Sequence, residues 1–111
     1  MVELELSSRH EGDWTILDVG GEIDMLTSPQ LRDRIVGLIE AGRPRIVVDL
    51  QNVSFMDSTG LGTLVGCLKR AREHDGQIRV VASARPVVSL FSLTGLDRVF
   101  DVHPSLETAL R

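Results

Sequence analysis

Two hydrophobic periods alternate along the chain. Val2-Glu3-Leu4-Glu5-Leu6 alternates apolar and polar residues, the mark of a strand with one wet face. Glu11-Gly12-Asp13 supplies turn chemistry, and Trp14 to Val19 resumes with aromatic and β-branched residues. The two segments predict an antiparallel hairpin with Trp14 near one end. Gly20-Gly21 breaks the second strand, and Glu22-Ile23-Asp24 continues beyond it after a bulge or bend. The period then lengthens. Leu31, Ile35, Leu38 and Ile39 form a helical stripe that Ser28 caps and Pro29 opens, and that Gly42 and Pro44 end.

Ile46-Val47-Val48-Asp49-Leu50 has the composition of a buried parallel strand. After it, Leu61, Leu64, Val65, Leu68 and Ala71 share one helical face, closed by Gly76. Gln77 to Val81 is a further β-branched run, and Pro86 opens a third helix with Val87, Leu90 and Phe91 inward. Gly95-Leu96 marks its stop, Val99 to Val102 a short strand, and Ser105 caps a last helix through Leu106, Ala109 and Leu110. The order β-β-β-α-β-α-β-α-β-α predicts an α/β fold: a mixed, mostly parallel sheet flanked by α-helices behind an N-terminal antiparallel hairpin. No internal repeat or linker interrupts residues 1–111, so a single domain is expected.

Composition narrows the function. Hydrophobic residues make up 42% and charged residues 25%, which suits a globular chain. A formal charge of -4 and an aromatic content of 4% leave neither the basic surface nor the stacking rings that nucleic-acid binding uses. The start lacks the charged flank and apolar block of a signal peptide, and no apolar run reaches membrane-span length, so no membrane insertion is expected. One cysteine, Cys67, makes no internal disulfide, which fits a reducing cytoplasm; inside a helix it behaves as a small core-edge residue.

The chemistry concentrates at Asp57-Ser58-Thr59-Gly60, where a strand ends and a helix begins, the place where α/β sheets bind ligands. A hydroxyl beside a carboxylate there is either a helix cap or a site of modification, and Asp57 and Ser58 both suit the cap. Gly60, Gly62 and Gly66 loosely resemble a dinucleotide fingerprint. The first glycine does not directly follow the strand, however, and the chain is too short for that fold. Ser58 lacks the preceding glycine of a nucleophile elbow. His10, His74 and His103 fall in surface segments unpaired with it, and no Cys, His or carboxylate spacing matches a metal site. The helical stripes contradict an all-β aspartic protease. A phosphoaspartate receiver domain could use Asp57, but it needs an acidic pair after its first strand, where this chain has Ser7-Ser8-Arg9. No enzyme is indicated.

Gly21-Glu22-Ile23-Asp24, Val48-Asp49-Leu50 and Phe55-Met56-Asp57-Ser58-Thr59-Gly60-Leu61-Gly62 resemble the STAS domain, and most of all its stand-alone bacterial form, the anti-sigma factor antagonist. The likeness covers nearly the whole chain, and the Asp-Ser-Thr-Gly-Leu-Gly block is its most specific part.

The resemblance implies the STAS fold and a switch in place of catalysis. Ser58 would be phosphorylated by a partner that is both serine kinase and anti-sigma factor. The unphosphorylated chain binds that partner and releases a sigma factor; phosphorylation abolishes binding, and a serine phosphatase resets the cycle. ATP belongs to the kinase, so no cofactor is expected here. Asp24, Met25, Asp57, Ser58, Thr59 and Gly62 carry over as partner-binding positions. Thr59 is expected to turn into the first helical turn as a cap or packing group. The absence of flanking segments argues against a transporter-attached STAS domain and leaves, as an alternative, a stand-alone subunit of a lipid-transport complex.

Overall fold

The computed structural model describes residues 3–111; Val2, the first residue of the predicted N-terminal strand, lies outside them. Five strands order themselves as in the sequence: β1 (Glu5–Glu11), β2 (Trp14–Ile23), β3 (Arg45–Met56), β4 (Gln77–Val81) and β5 (Asp101–His103). β1 pairs antiparallel with β2, and every later pair is parallel. Helices α1 (Ser28–Glu40), α2 (Ser58–Glu73) and α3 (Arg85–Leu93) make the crossovers, and α4 (Leu106–Ala109) follows β5. Each crossover steps one strand in the same direction, so a shared hand places all three helices on one face. There Leu31, Ile35, Leu64, Leu68, Val87 and Phe91 close over Leu17, Val48, Leu50 and Val80. α4 alone covers Trp14, Ile16, Val47 and Val81 on the other face.

The first strand lies later than its alternation predicts. Glu5–Glu11 is exposed apart from half-buried Leu6, because β1 is an edge strand whose register is fixed by the two-residue turn at Gly12-Asp13. Gly12 supplies the positive φ (59°) that such a turn requires. Leu4 is buried before the strand begins, and its N–H donates to Gln30 Oε1 (3.0 Å) on α1. Gly20-Gly21 bends β2 without ending it, with register shifts against β3 on either side. β3 runs through Met56, six residues beyond its apolar run.

The helix ends also differ by a residue from expectation. Thr27, not Ser28, is the N-cap residue of α1, and the C-terminus of that helix is a Schellman closure around Gly42. At the end of α2 the left-handed residue is Asp75 (φ 59°), not Gly76. Gly76 is needed for space: a Cβ there would lie 2.1 Å from the Pro44 carbonyl oxygen. The last strand begins at Asp101, after a single 3-10 turn (Leu96–Arg98), and Ser105 caps α4 as expected. Arg45 and Arg79 each stack on the Trp14 ring, at 4.6 and 4.4 Å from its centroid, and Arg79 Nη1 donates to the carbonyls of Ala109 (2.7 Å) and Arg111 (3.0 Å), which fastens α4 to the sheet.

Two predictions follow from these contacts. Gly76→Ala should lower unfolding free energy by about 1–3 kcal/mol through overpacking against Pro44, whereas Asp75→Gly should raise it by up to about 1 kcal/mol by relieving the left-handed conformation. Urea unfolding of both variants checks this, and equal effects would contradict it. The second concerns Asp49, only 9% exposed and opposite Asp18. Burial raises its pKa most, the N–H donated by Gln51 (3.0 Å) lowers it, and Asp18 raises it again. A carboxyl with a raised folded-state pKa stabilises the fold most below its unfolded value and loses that contribution as pH rises through the folded value. Asp49→Asn, which can still accept from Gln51, should therefore be more stable than wild type at pH 7, with the advantage vanishing near about pH 3–4, the unfolded carboxylate range. A pH-independent difference in unfolding free energy would contradict this.

Candidate functional site

The carboxyl ends of β2 and β3 lie side by side, with Ile23 opposite Met56, and each strand leads into a helix. After β2 the chain makes a tight turn. Asp24 Oδ1 accepts from the N–H of Leu26 (2.9 Å) and Thr27 (3.0 Å). Thr27 Oγ1 donates to the Glu22 carbonyl (2.7 Å) and accepts from the Asp24 N–H (3.0 Å). With its polar residues held inside, the turn pushes Met25 and Leu26 outward, 70% and 79% exposed. The predicted contact Asp24 thus has one carboxylate oxygen committed to building the turn that presents Met25.

After β3, the Asp57 N–H donates to the Ile23 carbonyl (3.1 Å), which ties the two strand ends together. Asp57 Oδ1 accepts from the Gly60 N–H (3.0 Å), so Asp57 is the N-cap of α2. Of the two cap candidates in the sequence, the structure selects Asp57. Ser58 becomes the first helical residue, exposed, and its side chain takes no hydrogen bond among the described residues. Gly60 presses against the sheet: a Cβ on it would stand 2.5 Å from Ile23 Cγ2 and 2.9 Å from Met56 Cγ. That close approach seats the first turn of α2 and leaves Ser58 on its outer side.

Thr59 does not turn inward as a cap or packing group. It is exposed, and with Gly62 it lines a cleft of about 500 Å³ between α1 and α2. The cleft also takes Arg32 and Val36 from α1, and Thr63, Gly66, Cys67 and Arg70 from α2. The Cys67 thiol is buried, which pushes its pKa up to about 11, with Arg32 and Arg70 pulling it part of the way back. It stays protonated and unreactive at neutral pH.

All six predicted partner-binding positions therefore gather at one end of the sheet, on two neighbouring turns and the first turns of α2. Leu26 belongs to the same surface and was missed; its signal was an apolar residue before a helix whose stripe does not use it. The receiver alternative fails here, because the Asp57 carboxylate is engaged in the cap and no group of three or more acidic, His or Cys side chains could hold a metal among the described residues. His103 is half-buried, not a surface residue, and no histidine bonds to Ser58. No helix among the described residues is long and apolar enough to cross a membrane.

The sequence profile of the STAS domain matches residues 5–109. The chain is 34% identical over 106 residues to the anti-sigma-B factor antagonist of Staphylococcus epidermidis, covering 96% of this chain and 98% of that one. An anti-sigma factor antagonist from Mycobacterium paratuberculosis superposes with a TM-score of 0.88 at 32% identity, covering 96% of this chain and 91% of that one. The Bacillus cell fate determinant SpoIIAA, solved in its phosphorylated form, shares the fold with a TM-score of 0.72 at 22% identity over 96% of each chain.

The cap assignment separates the two neighbouring residues energetically. Asp57→Ala should cost about 0.5–2 kcal/mol, the usual loss of an N-cap. Ser58→Ala should stay within about 0.5 kcal/mol of wild type, as for a surface substitution. Urea unfolding compares them, and a comparable loss in both would contradict the assignment.

Proposed function

The chain belongs to the STAS domain family, and we propose that it is an anti-sigma factor antagonist switched by phosphorylation of Ser58. The observation that carries the proposal is the exposed Ser58 hydroxyl, freed from capping by Asp57 and set at the first position of α2. The unphosphorylated surface formed by Asp24, Met25, Asp57, Ser58, Thr59 and Gly62 binds an anti-sigma factor that is also the serine kinase, and a sigma factor is released. The kinase supplies ATP, a serine phosphatase restores the surface, and the exchange takes place in the cytoplasm. The chain acts by binding and contributes no catalytic group.

Charge explains why modification acts on binding more than on folding. A phosphoryl group brings about -1.5 to -2 charge at neutral pH. At the start of α2 the first-turn N–H groups and the helix dipole favour an anion by about 0.3–1 kcal/mol, so the fold accommodates it. At a docked interface, an unpaired buried charge costs on the order of 2–5 kcal/mol. Exposed Met25 supports the same surface, since an apolar residue on a rigid turn is an anchor that gains only when a partner covers it. Ser58 is preferred over Thr59 because Thr59 is β-branched and lines the α1–α2 cleft.

Incubation with the cognate kinase and ATP should place one phosphate on Ser58, read by peptide mapping. Ser58→Ala should hold the kinase persistently, and Ser58→Asp should bind at least several-fold more weakly at unchanged stability. A phosphate on Thr59 or Asp57, or full-strength binding by the aspartate variant together with a phosphate elsewhere, would overturn the proposal.

A further inference from the structure

The cleft between α1 and α2 is not explained by the folding of the chain. Gly62 and Gly66 lie in the interior of α2, where glycine costs about 0.8–1 kcal/mol relative to alanine. Neither is required for packing, because a Cβ at either position meets nothing within 4 Å. At Gly60 the same test finds Ile23 and Met56 in the way, so the three glycines of this helix serve different ends.

Charge distribution singles out the same cleft. The chain carries 16 acidic residues against 12 Lys and Arg. Yet the eight residues lining the cleft include Arg32 from one wall and Arg70 from the other, and no carboxylate. Arg32 meets only the side chain of its exposed neighbour Asp33 (3.3 Å), and Arg70 has no ion pair among the described residues. Two arginines thus line one concave surface, with Thr59 at the end nearest Ser58 and Gly62 and Gly66 between Thr59 and Arg70 along α2.

We infer that this cleft is a second docking surface for the anti-sigma factor, taking an acidic segment whose carboxylates pair with Arg32 and Arg70 while its backbone passes close over Gly62 and Gly66. The inference rests on the Ser58 surface being the partner-binding face, with which the cleft is continuous through Thr59 and Gly62. Its chemistry follows from the lining. Guanidinium groups select carboxylates by paired N–H donors, and the absent side chains of the glycines admit a chain where a lateral methyl would stand. Because neither arginine depends on Ser58, the cleft adds affinity that phosphorylation does not directly remove. It holds the partner near the Ser58 hydroxyl during transfer.

The test titrates the purified anti-sigma kinase against wild type, Arg32→Glu/Arg70→Glu, Arg32→Lys/Arg70→Lys and Gly66→Ala, all unphosphorylated, at two salt concentrations. The double reversal should weaken binding tenfold or more and flatten its salt dependence, while the double lysine variant stays within a few-fold of wild type. Gly66→Ala should be at least as stable as wild type yet bind less tightly. Binding of the double reversal within twofold of wild type would overturn the cleft inference and leave the Ser58 assignment standing. Failure of wild type itself to bind or be phosphorylated would overturn both. A parallel titration with inorganic phosphate, read by arginine side-chain NMR signals, covers the other source of anions. Saturable binding of phosphate with an unaffected partner affinity would make the cleft a small-anion site and overturn the docking.

Discussion

The first turn of α2 sits against Ile23 and Met56 more closely than any side chain allows, and the geometry of the candidate surface depends on that approach. Gly60 is the residue that permits it. Its N–H reaches Asp57 Oδ1, and the Asp57 N–H reaches the Ile23 carbonyl, so one glycine and one aspartate join the ends of two parallel strands to the start of a helix. Ser58 is held between them by the hydrogen bonds that Asp57 and Gly60 make on either side of it. Its own side chain has no structural duty, which makes its chemistry separable from the fold.

The neighbouring turn follows the same logic with different residues. Asp24 Oδ1 and Thr27 Oγ1 are spent on each other and on the backbone between Glu22 and Ser28, and the apolar Met25 and Leu26 are left outside. Rigid backbone and exposed apolar side chains together favour docking, since little ordering entropy remains to be lost on binding. Under the proposed switch, a phosphate on Ser58 would set a dianion beside that apolar turn. The helix terminus would tolerate the charge, and a buried interface would not.

Much of this was legible in the sequence because it is written in local periodicity. The β-branched runs at Ile46–Leu50 and Gln77–Val81 and the stripes beginning at Leu31 and Leu61 gave the parallel α/β order, and the Asp57–Gly62 block gave the family and the candidate site. What escaped depends on pairing and space. The exposed edge strand Glu5–Glu11 has almost no apolar side chains, and only its register against β2 defines it. The choice between Asp57 and Ser58 as cap turns on a one-residue difference in where the helix starts. Gly60 and Gly76 look in sequence like turn or stop glycines, but both are spacing residues against Ile23 and Pro44. Thr59 was expected to pack inward, and the cleft between α1 and α2 that it lines brings together residues as far apart as Arg32 and Arg70, which no short motif records.

The central claim is that phosphorylation of Ser58 ends partner binding without loosening the fold. The most direct measurement is a calorimetric titration of the anti-sigma factor with the enzymatically phosphorylated and the unmodified chain, each first checked by urea unfolding. The expected result is an affinity loss of at least about thirty-fold, the lower end of an unpaired interfacial charge, with unfolding free energies within about 1 kcal/mol of each other. Equal affinities for the two forms, or an affinity loss that tracks partial unfolding of the phosphorylated chain, would contradict it.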